Sequence, residues 1–463
     1  MSDIQAVKAE LDAFLGRPEI KESMVRDLAR IVAIPSVKGE PSEGHPFGDE
    51  CARALDEALE MGREYGFETE NHDYYCGSII YGDSEQEMGI VVHLDVVPAG
   101  DGWDADPFML RRDGDMLIGR GTDDDKGPFI TALYTLRFLK ETGKKLPFSV
   151  RIILGCDEES GCSDLEHFAS VRKIPFFSFT PDSEYPVGIG EKGMYGFDVV
   201  LDCGGIELSG GSAPNAVAAS ASAKLRFPVD ASTLPYDDRI TVETDSTSAV
   251  ITAEGISAHA AMPENGANAI GILCSYLISA GLSDSPAVKF LAESCTDYLG
   301  KAFGIDCADD KFGPLTCIGS MVGTKDGKTV QNYNVRYPIS ADINAMRAVI
   351  AEKAAALGGS VENESISEGY YKDPDSDEIK ALTEACEAVL DIPCVPYTMG
   401  GGSYARHMRD TVVFGAGIPS MRGLRGEGKG GPHENEEYFT VTELEAGVRI
   451  FALSVLNIAR KRC

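Results

Sequence analysis

Residues 88–131 read MGIVVHLDVVPAGDGWDADPFMLRRDGDMLIGRGTDDDKGPFIT. Ile90, Val91 and Val92 form an apolar strand that ends on His93-Leu94-Asp95. A strand alternates its side chains, so His93 and Asp95 point the same way from its carboxyl end. An imidazole backed by a carboxylate is the usual arrangement of an oriented metal ligand, so this stretch reads as half of a metal site. A turn-rich loop follows with Trp103, the only tryptophan, and GRGTDDDKGP from Gly119 then leads into a helix over Pro128–Leu139. The GRG is no dinucleotide fingerprint, because its glycine spacing is wrong and it does not directly follow a strand.

Outward from this stretch, two more apolar runs end in polar clusters. Val150–Leu154 runs into GCDEES, and Phe176–Thr180 runs into PDS. Upstream, periodic apolar residues mark helices over 4–15, 19–33 and 49–65, followed by short strands at Phe67–Asn71 and Ser78–Tyr81. Strands alternating with helices, with polar residues gathered at strand ends, predict an open, mostly parallel α/β sheet flanked by helices. Such sheets bind ligands at the carboxyl ends of their strands.

From about Gly193 the texture changes to strand-rich segments (Tyr195–Leu201, Ala223–Pro228, Ile240–Thr244, Ala249–Ala253) around a helix near Ala267–Ala280. The α/β style returns with a helix at 376–390, a strand at Thr411–Gly415 and a long helix from Thr442. The expected organisation is a split catalytic domain over residues 1–190 and 386–463, with an inserted α+β lid domain over 191–385. Residues 203–215 and 421–432 read as glycine-rich connections.

The 463 residues carry 74 acidic and 42 basic side chains, a net charge of −32 that repels nucleic acid and anionic membranes. No apolar run is long enough to span a bilayer. The N-terminal stretch reads as an amphipathic helix rather than a signal peptide. The twelve cysteines, from Cys51 to Cys463, include no CxxC pair. Together these features predict reduced thiols and a cytoplasmic protein.

Each polar cluster has a bland reading when taken alone. Asp123-Asp124-Asp125 suits a helix N-cap, Asp157-Glu158-Glu159 and Pro181-Asp182 suit turns, and His433 suits a loop. Three of these sites follow strands, however, and converge on one sheet edge, where crowded carboxylates call for a cation.

Eight segments in order, HLDVVPAGDGW, GRGTDDDKGP, GCDEES, TPDSEYPVGIGEKG, GISAHAAMPENGANA, NVRYP, GGGSYAR and GPHENEE, resemble the M20 family of metallopeptidases. Within that family the chain looks most like the bacterial PepV-like dipeptidase branch. The resemblance implies two divalent metal ions, zinc in the first instance with manganese or cobalt as alternatives. It implies that Asp124 bridges them, that His93 and Asp182 complete one ion and Glu159 and His433 the other, and that Asp95 backs His93. It further implies a cis peptide between Asp124 and Asp125.

By the same resemblance Glu158 is the general base, taking a proton from the activated water and passing one to the leaving amine. His259 would stabilise the oxyanion, Arg336 would grip the substrate's terminal carboxylate, and Asn215 and Gly402 would touch substrate. The sequence departs from the family pattern at Ala216-Val217-Ala218 and at Ala260. His45, His72, His167 and His407 match no site position and read as structural.

The function implied is hydrolysis of dipeptides with a free N-terminus, favoured by an Asp rather than a Glu at position 182. The alternatives are N-acyl amino acid deacylation or another amide hydrolysis of the M20 type, and a silent metal or peptide binder. The expected partner is a small dipeptide, with no nucleic acid or membrane, and the expected state is a monomer or weak homo-oligomer.

Overall fold

The computed structural model describes residues 2–426 and 428–462, so Met1, Cys463 and Glu427 of the 421–432 connection lie outside the described residues. The chain divides into two compact units. The first holds residues 1–189, 372–397 and 403–463, and the second holds 190–371 and 398–402.

The first unit is built on a mixed sheet. Four neighbouring strands are parallel: Ser149–Gly155, Glu87–His93, Phe177–Thr180 and Thr411–Phe414. Cys76–Tyr81 and then Glu68–His72 extend one edge antiparallel. The central strands are covered on both faces, which explains their unbroken apolar runs; all seven residues of Ser149–Gly155 are buried.

Side-chain alternation sorts the helices between the two faces. Leu55 and Leu59 of helix Asp49–Glu64 lie against Gly77 on one face. Phe179 shares that face, being register-paired with Ile90, and it meets Phe451 of the C-terminal helix Val441–Arg462 at 4.9 Å. On the opposite face, Leu165 and Phe168 of helix Ser163–Val171 cluster with Cys76, Val91 and Ile153. Burying a phenylalanine such as Phe451 contributes about 2 kcal/mol. The helix Lys126–Glu141 closes on the C-terminal helix, and a Cβ at Gly447 would stand 2.6 Å from Thr131 Cγ2. The absence of a side chain at Gly447 is what lets the two helices approach.

The second unit is an eight-stranded sheet whose neighbours all pair antiparallel, in the order Ile240–Thr244, Ala249–Glu254, Ser220–Leu225, Glu207–Gly210, Thr316–Lys325, Lys328–Tyr337, Gly193–Leu201 and Ser360–Ser367. Gly193–Leu201 alternates buried and half-buried residues, as a sheet covered on one face requires. Tyr195, Phe197, Val199 and Leu201 pack in one core with residues of helices Ala269–Ser279, Pro286–Ser294 and Ile343–Ala356.

Three sequence expectations need correction. The chain returns to the first unit after Tyr371, earlier than residue 385, because helix Asp377–Leu390 packs on the C-terminal helix, where Asn457 donates to the Ala381 carbonyl. Residues 203–215 are not all connection: Glu207–Gly210 finds ladder partners in Ser220–Leu225. That partner strand ends at Leu225, short of Pro228. Among the described residues, no helix is long and apolar enough to cross a membrane.

Candidate metal centre

Three strand ends of the first unit, one turn and one loop deliver the polar groups. His93 is the last residue of Glu87–His93, and Asp182 stands just beyond Phe177–Thr180. Glu158 and Glu159 follow Ser149–Gly155, while Asp124 lies in the turn before helix Lys126–Glu141. His433 comes from a loop and takes a left-handed backbone (φ 63°), rare for a residue with a side chain. The peptide between Asp124 and Asp125 is cis, as the resemblance implies.

These groups form two overlapping triads. His93, Asp124 and Asp182 offer one set of ligand atoms, and Asp124, Glu159 and His433 offer another; within each triad the atoms lie within 4.8 Å of one another. Asp124 is common to both, and its two oxygens face different ways. Oδ1 lies 2.8 Å from His93 Nε2, and Oδ2 lies 3.1 Å from His433 Nε2. His433 Nε2 is also 3.0 Å from Glu159 Oε2, and His93 Nε2 is 4.0 Å from Asp182 Oδ1.

The donor set fits a metal. His93 Nε2 and Glu159 Oε1 are buried without a hydrogen-bond partner, although His93 Nε2 is close to Asp124. That closeness without hydrogen-bond geometry marks two atoms aimed at a common point. Buried donors left in this way suit a cation that would satisfy them. Mixed imidazole and carboxylate donors suit a divalent transition metal.

The charges of these groups act strongly on one another. Burial pushes the Glu158 carboxyl up to about 8, with His93 opposing and the charges of Asp124 and Glu159 adding to the rise. Burial, reinforced by Asp124 and Glu158, holds Asp182 well above the ordinary carboxylate range. Asp124 lies below its usual value because the two imidazoles overcome its burial. Its own charge, with that of Glu159, lifts His433 to about 10. For His93, burial disfavours the charged ring, but Asp124 and Asp95 outweigh it and raise it well above 6.5.

Asp95 sits behind His93, but its contacts differ from the expected carboxylate–imidazole pair. His93 Nδ1 is 3.0 Å from the Asp95 carbonyl oxygen and 3.5 Å from the carboxylate. The carboxylate instead accepts from the backbone N–H groups of Glu158 and Glu159, at 3.3 and 3.2 Å. Asp125 stands at the N-cap position but makes no side-chain cap, and accepts instead from the His93 N–H at 3.1 Å.

The remaining predicted residues belong to the second unit. Ala260 N donates to the Asn215 carbonyl, and Ala216 bridges His259, so the loops of Asn215 and His259 run together. Thr316 Oγ1 donates to the Ala260 carbonyl, and Thr316 is the register partner of Arg336. Arg336 is buried, with Nε donating to Asn334 Oδ1 at 2.8 Å. The structure therefore gathers Asn215, His259 and Arg336 at one end of this sheet, while Gly402 is the exposed last residue of the half-buried 398–402 segment. His45 pairs with Asp49, His72 with Ser78, and His167 stacks on Tyr75.

The model of peptidase family M20/M25/M40 matches residues 89–457. A Bacillus subtilis (strain 168) protein named "Putative dipeptidase YtjP" is 29% identical over 95% of this chain and 98% of that protein. The fold is similar to that of the dipeptidase Dug1p from Saccharomyces cerevisiae (TM-score 0.60, 14% identity, 99% and 98% of the two chains). It is also similar to that of the Bacillus subtilis YXEP protein, described as a dinuclear metal binding peptidase (TM-score 0.55, 12% identity, 96% and 99%).

Proposed function

The chain belongs to peptidase family M20/M25/M40, and from that premise we propose that it is a two-metal dipeptidase acting on dipeptides with a free N-terminus. The observation that carries this reading is Asp124, placed with one oxygen toward each of two imidazole–carboxylate pairs. His93 and Asp182 would hold one ion, Glu159 and His433 the other, and Asp124 both. Zinc suits the donor set, with manganese and cobalt as alternatives. When bound, such ions supply Lewis acidity and a more acidic water.

The chain's own groups do the rest. Glu158 takes the proton of the attacking water on its carboxylate and returns one to the leaving amine, a task suited to a carboxyl whose affinity for protons burial has raised. Asp95 orients Glu158 and Glu159 through their backbone N–H groups. His259 donates to the developing oxyanion, Arg336 holds the dipeptide's terminal carboxylate, and Asn215 and Gly402 contact substrate. A cytoplasmic setting is supported by the described cysteines, all of which are free thiols.

The test is to strip the protein with a chelator and restore zinc, manganese or cobalt while following a dipeptide panel and its N-acetylated counterparts. Activity on free dipeptides at about two ions per chain is expected. Turnover of the N-acetylated compounds alone would replace this reading with deacylation. Two bound ions without hydrolysis of either set would leave a silent binder.

A further inference from the structure

Glu436 and Glu437 are adjacent, fully buried carboxylates that serve different loops. Glu436 accepts from the Asp104 N–H, Arg111 and Arg425, none of which belongs to the metal centre. Glu437 faces the turn that carries Asp124. Its Oε1 accepts from the N–H groups of Asp123 and Asp124 at 2.9 and 3.2 Å. Its Oε2 accepts from the Gly121 N–H at 3.0 Å and from Arg120 Nη1 at 2.6 Å. Its backbone carbonyl takes the Gly119 N–H at 2.9 Å. Arg120 in turn donates through Nη2 to the backbone carbonyl of His433, at 3.3 Å.

One buried ion pair is therefore tied to both the turn of Asp124 and the loop of His433, two groups that lie far apart in sequence. We propose that Glu437 and Arg120 are a positioning pair that sets the spacing between Asp124 and His433 and so tunes the affinity of the centre for its ions. This rests on the reading that Asp124 and His433 hold metal.

The chemistry makes the pair hard to replace. Each Glu437 oxygen accepts two donors, whereas glutamine has one acceptor oxygen and would turn its NH₂ group toward two N–H donors. Buried donors left facing donors shift the turn that carries Asp124. Arginine reaches Glu437 and the His433 carbonyl at once through its fork, a geometry lysine does not reproduce.

Chelator-stripped wild-type protein, Glu437→Gln, Arg120→Lys and Glu436→Gln should each be titrated with zinc by calorimetry and with cobalt by visible absorption, alongside thermal melts of the metal-free proteins. Glu437→Gln is expected to weaken both ions by about 10- to 100-fold, the usual loss when a group supporting a ligand is removed. Arg120→Lys should weaken one ion more than the other, because lysine cannot hold Glu437 and still donate to the His433 carbonyl. Glu436→Gln should lower the melting temperature of the metal-free protein while leaving both affinities near wild type.

Wild-type affinities in both Glu437→Gln and Arg120→Lys would overturn the pair's role, as would losses no larger than those of Glu436→Gln. If Glu437→Gln does not fold, Arg120→Lys decides the matter. A wild-type chain that takes up fewer than two ions would overturn the two-ion reading itself and, with it, this one.

Discussion

Asp124 meets His93 through Oδ1, which lies 2.8 Å from Nε2. The other oxygen is left for His433, at 3.1 Å. Removing the second partner should therefore undo one half of the centre. His433→Ala is expected to lower the metal content of dialysed protein from about two ions per chain to about one, by elemental analysis. Retention of both ions would remove His433 from the ligand set.

Glu158 is backed by Asp95 but belongs to neither triad. Glu158→Gln should reduce kcat by about 10²- to 10⁴-fold, the usual worth of a general base, with metal content unchanged. Wild-type turnover in this variant would exclude Glu158 from proton transfer.

Arg336 lies on the strand Lys328–Tyr337 and is braced by Asn334. Arg336→Lys keeps the charge and loses the planar fork, so KM for dipeptides should rise by about 10-fold or more while kcat falls less. Steady-state kinetics would show this, and an unaltered KM would reject the clamp.

His72 gives the fold a pH dependence away from the metal centre. Burial, only partly offset by Glu70, lowers its pKa from 6.5 to about 4. The unfolded chain therefore binds the proton more readily than the fold between these values. The contribution is full above pH 6.5 and is lost as the pH falls toward 4, a change on the order of 3 kcal/mol. Denaturant melts of wild type and His72→Gln across this window should show a shallower acid loss in the variant. Parallel curves would exclude His72 as the cause.

The sequence was most legible where strands end in polar residues. His93, Asp95, Glu158, Glu159 and Asp182 each follow a readable apolar run, and the parallel sheet was visible in the same runs. His433 lies in a loop with no periodicity, and only the motif resemblance singled it out. The roles of Arg120 and Glu437 were not legible at all, because four donors meeting on one carboxylate is a fact of three-dimensional packing.

Some misses had signals. The hairpin Thr316–Tyr337 turns at Asp326-Gly327, both with positive φ, and Asp-Gly between strands is a strong hairpin mark. Helix Ile343–Ala356 begins at Asp342, whose side chain accepts from the Asn344 and Ala345 N–H groups, and it is followed by Gly358 with φ 73°. The return point near 371 had no such mark, since the amphipathic pattern of Asp377–Leu390 does not say which sheet it covers.

The interrupted path of the first unit sets a timetable. A ribosome releases His93, Asp124, Glu159 and Asp182 early, but strand Thr411–Phe414 and His433 emerge only after residues 190–371 have been made. The turn of Asp124 must likewise wait for Glu437, the carboxylate that takes its N–H groups. Catalytic competence is thus deferred until translation has passed through both units, and a ribosome stalled within the second leaves a chain without His433.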